Sequence, residues 1–367
     1  MSKVSFNNRQ QPFYKSVKSS VDAYFTRTGQ QKTGNWKLFS KTLILIPAAL
    51  GIYAFLLTGS YPALLGIGLS ILLGFVLVAI AFNVMHDACH GSYSGKKWVN
   101  DILSYTMNAL GSNAMIWKIK HNILHHTYTN IDGLDDDIAK LPVLRLCPTQ
   151  PRMAMHKYQH QYMFLVYSLS SLLWVGLTDF MKYFSRKIVV TEMKLTLKDH
   201  IIFWGSKLLY AFFYIALPVY FLGAGPWLLG YLLVNMTMGL TLGLVFQLAH
   251  VVEKTEFEQT GEGEKVLDEE WAVHEIRTTA NFAPRNPLIT WFVGGLNYQV
   301  EHHLFPRVSH VHYPAISRIV QEECRKFDLP YHTYEKMTEA IASHYRTMRA
   351  LGHGQPLPAM RERPVAA

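Results

Sequence analysis

The chain has 367 residues, 50% of them hydrophobic and only 17% charged, against about 25% charged in soluble proteins. Three widely spaced cysteines, Cys89, Cys147 and Cys324, exclude a disulfide framework and fit a reducing compartment. The formal charge of +9, set against this hydrophobicity, points to anionic lipid headgroups or an acidic partner rather than to nucleic acid.

Residues 1–41 form a basic segment. Lys3, Arg9, Lys15, Lys18, Arg27, Lys32, Lys37 and Lys41 stand against a single acid, Asp22. Hydrophobicity begins only after it, which is the wrong layout for a cleaved secretory signal. From Thr42 to Met85 there is no Asp, Glu, Lys or Arg, and from Ile201 to Ala249 the only one is Lys207. A hydrocarbon core of ~30 Å needs about 20 apolar residues per helix, so each stretch holds two spans. Turns at Gly59-Ser60-Tyr61-Pro62 and Gly223-Ala224-Gly225-Pro226 divide them into predicted spans over 42–58, 62–85, 201–222 and 226–249. The positive-inside rule puts the N-terminus in the cytoplasm, and four crossings return both remaining segments to that side. Lys207, within two turns of the boundary, is expected to snorkel outward.

Between the hairpins, residues 98–118 and 161–181 are apolar but interrupted by polar groups. Both are read as helices at the interface, because a fifth crossing would separate the histidine clusters described below. The acidic stretch from Glu253 to Glu270 reads as a solvated loop. Residues 313–328 and 333–350 read as amphipathic helices. Residues 351–367, rich in Gly and Pro, read as a disordered tail after a main domain over 42–350. The fold expected is therefore an all-α integral membrane protein, with four transmembrane helices in two hairpins and a cytosolic helical cap.

The chain holds 17 histidines, and many fall at the cytoplasmic ends of the predicted spans. His86 and His90 lie in HDACH, and His121, His125 and His126 in HNILHH. His250 follows the fourth span, and His302 and His303 lie in QVEHH, which opens at Gln299. Residues four apart on an α-helix share a face, so His86/His90 and His121/His125 can each aim two rings at one point. Neighbours such as His125/His126 and His302/His303 diverge by about 100°, which suits two adjacent ions. Eight imidazoles exceed one ion's coordination shell, so two metals are inferred. Ligand type alone leaves iron, copper, nickel and zinc open. A site at the ends of membrane helices serves a lipid-dissolved chain, however, and an unactivated hydrocarbon calls for a redox metal with O2.

Other polar residues receive weaker assignments. Gln299 and Asp87 are candidates to touch a metal or to support a ligand. Trp117 either lines an acyl tunnel or anchors at the interface. Two or more of Asp135, Asp136 and Asp137 are expected in a cap or solvated turn, and His274 beside Glu275 stays unassigned. Gly294 and Gly295 are expected to let the backbone pack closely. His156 and His160 are read as headgroup or surface residues, His332, His344 and His353 as surface residues, and His310 and His312 as structural.

The three boxes HDACH, HNILHH and QVEHH, with NIDGLDDDI after the second and FVGGLNYQVEHHLFPRVSHVHYPAIS around the third, resemble the membrane fatty acyl desaturases. Within that family the chain is similar to the front-end type related to linoleoyl-CoA (delta-6) desaturase, over roughly Thr42 to Tyr331. The resemblance implies a di-iron centre that uses O2 and two electrons to insert a cis double bond into an acyl-CoA or acyl-lipid. It also implies a mushroom shape, and His86, His90, His121, His125, His126, His250, His302 and His303 as ligands. Many front-end relatives carry a fused haem domain with a His-Pro-Gly-Gly signature, which does not occur here. A separate donor, a ferredoxin or cytochrome b5-like carrier, is therefore expected. The membrane itself, bacterial inner membrane or endoplasmic reticulum, stays open. The competing readings are an acyl or alkane hydroxylase, a metal transporter and a non-catalytic regulator of the same fold.

Overall fold

The computed structural model describes residues 3–58, 60–138, 142–259 and 264–360. Helix α1 (Pro12–Thr28) buries Phe13, Val17, Val21 and Phe25, an i, i+4 stripe along one face. Helix α2 (Trp36–Leu57) starts at Asn35, whose side chain accepts from the Lys37 N–H. Helix α3 (Ala63–His90) is continuous, and a π-helical turn, Ala81–Met85, leads into the HDACH segment. Gly91, at φ 73°, ends it, with the Ser92 N–H capping the Asp87 carbonyl at 2.9 Å. His86 and His90 are thus the last turn of this helix rather than residues beyond it.

The predicted 98–118 helix is broken into three short ones, Lys97–Ser104, Thr106–Ala109 and Ala114–Lys118. Helix α4 (114–125) begins at Asn113, which accepts from the N–H groups of Met115 and Ile116, and becomes π-helical over Ile119–His125. Helix α5 (Ala154–Ser185) then runs for 32 residues, followed by α6 (Leu197–Leu222) and α7 (Ala224–His250). Counting α2 and α3, five helices among the described residues are long and apolar enough to cross a membrane, where four were expected, and the fifth is α5. Many of their apolar side chains face outward, Leu43, Leu50, Leu64, Leu208 and Phe221 among them, as lipid-facing helices require.

Helix α7 packs most extensively against α5 and α3. Close approach to α5 depends on Gly239, where a Cβ would run into the Ser168 carbonyl. The ends of α5 are tied to one stretch of chain. Lys182 pairs with Asp136, and Gln159 exchanges hydrogen bonds with the backbone of Arg145. Lys207 does not snorkel outward. Its ammonium is buried and donates to the carbonyls of Gly111 and Val175 and to the Asp179 carboxylate, at 2.7, 3.0 and 3.1 Å. Asp179 also accepts from Ser112 and Trp174, so both charges of this pair are fully bonded.

The remaining elements build a cap over the ends of α3 and α7. They include α8 (Trp271–Thr278), α9 (Gln299–Leu304), α10 (Tyr313–Lys326) and α11 (Met337–His353). Helix α1 joins them, sharing a core with Ile276, Val300, Ile316 and Val320. Four short two-stranded pairs supplement the helices, one of them Lys3–Phe6 beside Glu264–Leu267. The described parts of the acidic stretch, 253–259 and 264–270, are accordingly more ordered than a solvated loop. Glu253 pairs with Arg346, and Glu270 is buried and accepts from the Phe13 N–H. Nor is the start of the expected tail disordered: α11 reaches His353 and Leu357 is buried, while residues 361–367 lie outside the described part, as do Gly59 and 260–263.

Candidate metal centre

Each histidine group sits where a local signal places it. The pair on α3 is fixed by the Gly91 stop. His250 closes α7, where its carbonyl accepts from Asn130 Nδ2 and Thr255 Oγ1, both at 2.8 Å. Helix α9 is set down by Gly294 and Gly295, at φ 59° and 68°. A Cβ on Gly294 would lie 2.5 Å from the Phe82 carbonyl of α3, so the expected close packing is real and lies beside the first histidine box.

These elements bring all eight predicted histidines into one buried cluster. Single ring nitrogens of His86, His90, His121 and His302 come within 4.8 Å of one another, and so do those of His125, His250 and His303. His126 lies between the two groups, its ring 4.5 Å from that of His302 and 4.4 Å from that of His303. His302 and His303 each belong to one of these groups, and the two also come within 4.8 Å of each other together with His126. His121 and His125 fall in different ones of these two groups, yet each also offers a nitrogen to a third set with an Asp137 oxygen, all within 4.8 Å, as their four-residue spacing predicts. The π-helical winding adds a further approach: it brings residues five apart into register, the His126 N–H meets the His121 carbonyl, and their Nε2 atoms approach to 3.3 Å.

The outward ring nitrogens are hydrogen bonded. His303 Nδ1 donates to Glu275 at 2.7 Å, His125 Nδ1 to Asp135 at 3.0 Å, and His302 Nδ1 meets the Tyr313 hydroxyl at 3.1 Å. His250 Nδ1 faces the Thr278 carbonyl at 3.4 Å. That leaves the Nε2 atoms of His86, His90, His125, His250, His302 and His303, and Nδ1 of His126, buried with no partner. Buried polar atoms are normally satisfied, so a cluster of inward-facing lone pairs is a donor set for a cation. Burial also holds His121, His126, His302 and His303 well below the usual histidine range, which keeps the rings neutral, the form that binds metal.

Asp87 stands behind the first group. It accepts from Ser309 Oγ at 2.7 Å and lies 3.1 Å from His310 Nδ1, while His86 Nδ1 is 4.0 Å away. His310 in turn meets Lys41, a buried ammonium that also donates to Asn83 and the Trp291 carbonyl. Trp117 stacks on His121, with centroids 4.3 Å apart, and borders a buried cluster of Ala81, Met85, Cys89, Met107 and Ala114. Gln299 is buried in the first turn of α9, four residues before His303 and so on the same helical face.

Glu275 and Tyr313 were not singled out in the sequence, since neither carries a spacing signal relative to the histidine it meets. Glu301, buried and accepting from Asn281 and Tyr331, was missed inside the third box itself. None of Asp135, Asp136 and Asp137 occupies a solvated turn. Asp135 serves His125, Asp137 pairs with Lys120 at 2.5 Å, and Asp136 pairs with Lys182. His156, His160 and His344 are buried rather than exposed; His344 bonds the Val251 carbonyl and Tyr167, and His156 the Pro142 carbonyl.

Residues 61–335 match the family model described as fatty acid desaturase. The sn-1 linoleoyl-lipid 6-desaturase of Synechocystis is 37% identical over 93% of this chain and 95% of its own length. The protein of the same name from Arthrospira platensis is 35% identical over 95% of each chain. An acyl-lipid (8-3)-desaturase of Physcomitrium patens is also 35% identical, over 93% of this chain and 72% of the relative.

Proposed function

The chain belongs to the fatty acid desaturase family, and from that premise we propose that it inserts a cis double bond at the delta-6 position of a lipid-bound linoleoyl chain, using two iron ions held by the clustered histidines. The observation that carries the metal assignment is the buried set of imidazoles with unpartnered nitrogens turned toward one another. His86, His90, His121, His126 and His302 would hold one ion, and His125, His250 and His303 the other. Gln299, on the face of His303, is the candidate for a further position at the second.

Bound there, the irons supply with O2 and two electrons the oxidising power needed to remove hydrogen from two adjacent methylenes. The chain's own residues do the rest. Glu275, Asp135, Tyr313 and the Thr278 carbonyl fix which ring nitrogen of each histidine faces inward. Trp117 and the Met85–Met107 cluster form a dry apolar wall beside the first group, where an acyl chain can lie with water excluded. Holding that chain at fixed depth is what selects the carbon pair.

The proposed topology keeps α2, α3, α6 and α7 as the spans and lays α5 along the interface. The ends of α5 are held by Asp136 and by the backbone of Arg145, and charged residues such as Asp136, Asp137 and Arg145 suit an interface and not the hydrocarbon core. With the basic N-terminal segment on the cytoplasmic side, the histidine cluster and cap lie there as well. Electrons then come from a ferredoxin or cytochrome b5-like carrier that reaches the cluster from this side.

The test is expression in a host without polyunsaturated lipids, fed linoleate, with double bonds located by mass spectrometry. The expected product carries a new bond at position 6. A new hydroxyl, or an unchanged profile over several fed acids, overturns the reading.

A further inference from the structure

We infer that electrons enter the cluster through Trp271, beneath a basic docking face on α1 that receives a small acidic one-electron carrier protein; this rests on the two-iron reading above. Trp271 is half-buried at the start of α8, and its indole N–H donates to the carbonyl of His126 at 2.9 Å. His126 is the histidine that lies between the two groups. On the other side of the indole, Tyr14 of α1 meets Trp271 edge to face, with centroids 5.6 Å apart. The Trp271 backbone N–H is held by Asn8 Oδ1 at 3.1 Å, which fixes the ring from the surface side. Tyr14, Trp271 and His126 therefore make a short route of ring contact and hydrogen bond from the outside of the cap to the middle of the cluster. Electron transfer falls off less steeply along bonds and hydrogen bonds than across gaps, so such a route is favoured over one through the apolar wall.

The exposed charges of the N-terminal segment beside this point are basic, while of the acids just before Trp271 only Asp268 is exposed, Glu269 pairing with Arg277 and Glu270 accepting from the Phe13 N–H. Arg9 follows Asn8, Lys15 adjoins Tyr14, and Lys18 lies one turn further along; all three are exposed. Within residues 1–41 the one acid, Asp22, is already shared by Lys18 and Lys32. A positive face steers an acidic partner and fixes its orientation. In the step proposed, a reduced carrier gives one electron and leaves oxidised, a ferric ion becomes ferrous, and no bond forms or breaks. Two such transfers serve one double bond.

The experiment uses the iron-loaded full chain in detergent, with a plant-type [2Fe–2S] ferredoxin as the probe, mixed anaerobically in a stopped-flow cell. Trp271→Leu is expected to slow ferredoxin oxidation at saturating concentration at least tenfold, while iron content and reduction by dithionite stay as in wild type. Trp271→Phe keeps a ring in place but not the N–H, and is expected to slow it several-fold even if the leucine variant misfolds. Lys15→Glu with Lys18→Glu is expected to raise the ferredoxin Kd at least tenfold at low salt, a difference that shrinks as salt rises. Equal transfer rates in wild type and both Trp271 variants, or a Kd indifferent to the charge reversal, overturn this inference alone. Wild-type protein without iron, or with iron that dithionite cannot reduce, removes the two-iron reading and this inference with it.

Discussion

His303 shows how a single carboxylate settles what a ring nitrogen can do. With Nδ1 given to Glu275, Nε2 is left as a lone pair turned inward, and the same logic joins Asp135 to His125. Loss of such a supporting acceptor typically weakens metal affinity about 10–100-fold. Glu275→Gln should do so when iron is titrated into the stripped protein and followed by elemental analysis; an unaltered affinity would count against the ligand assignment. Stripping should itself lower Tm, since an ion that binds only the folded chain stabilises it by mass action. A chelator that leaves the melting curve in place would contradict that. The histidines were readable because each box has its own spacing. Glu275 was not, because its partner lies 28 residues further along and nothing local marks the meeting.

At the scale of elements, the hydrophobic runs announced α2, α3, α6 and α7 with little ambiguity, while the full length of α5 and the inward turn of Lys207 were not legible. Read alone, a lysine two turns into a span has water as its natural destination. Folded, it meets Asp179 of α5, with three acceptors for its three N–H groups. Removing one member of a buried pair costs about 3–5 kcal/mol, because the other charge is left unpaired. Lys207→Met should therefore melt well below wild type in detergent, and Asp179→Leu added to it should recover much of the loss. A double variant no more stable than the single one would show that the pair acts otherwise. The π-helical turn over Ile119–His125 was equally invisible, and it adds the approach of His126 to His121.

For the molecule as a whole, the decisive question is which side of the bilayer each segment faces. If α5 lies along the interface, cysteines placed at its two ends, Met155→Cys and Ser185→Cys, should both react with an impermeant maleimide from the cytoplasmic side. Ser60→Cys, between α2 and α3, should react only from the other. All three positions are exposed, and the native cysteines are buried. Labelling of Met155→Cys and Ser185→Cys from opposite faces would make α5 a true fifth crossing and remove the proposed topology.

Charge-free runs, helix breakers and box spacing are local properties, written within twenty or so residues, and from them the apolar helices, the eight histidines and the family resemblance could be read. What the tertiary structure decided was every relation between distant residues: Asp179 beneath Lys207, Glu275 behind His303, Trp271 against His126, and the sorting of the rings into two groups. Those pairings depend on how helices pack and where a π-helical turn shifts the register, and side-chain packing across space leaves no period along the chain.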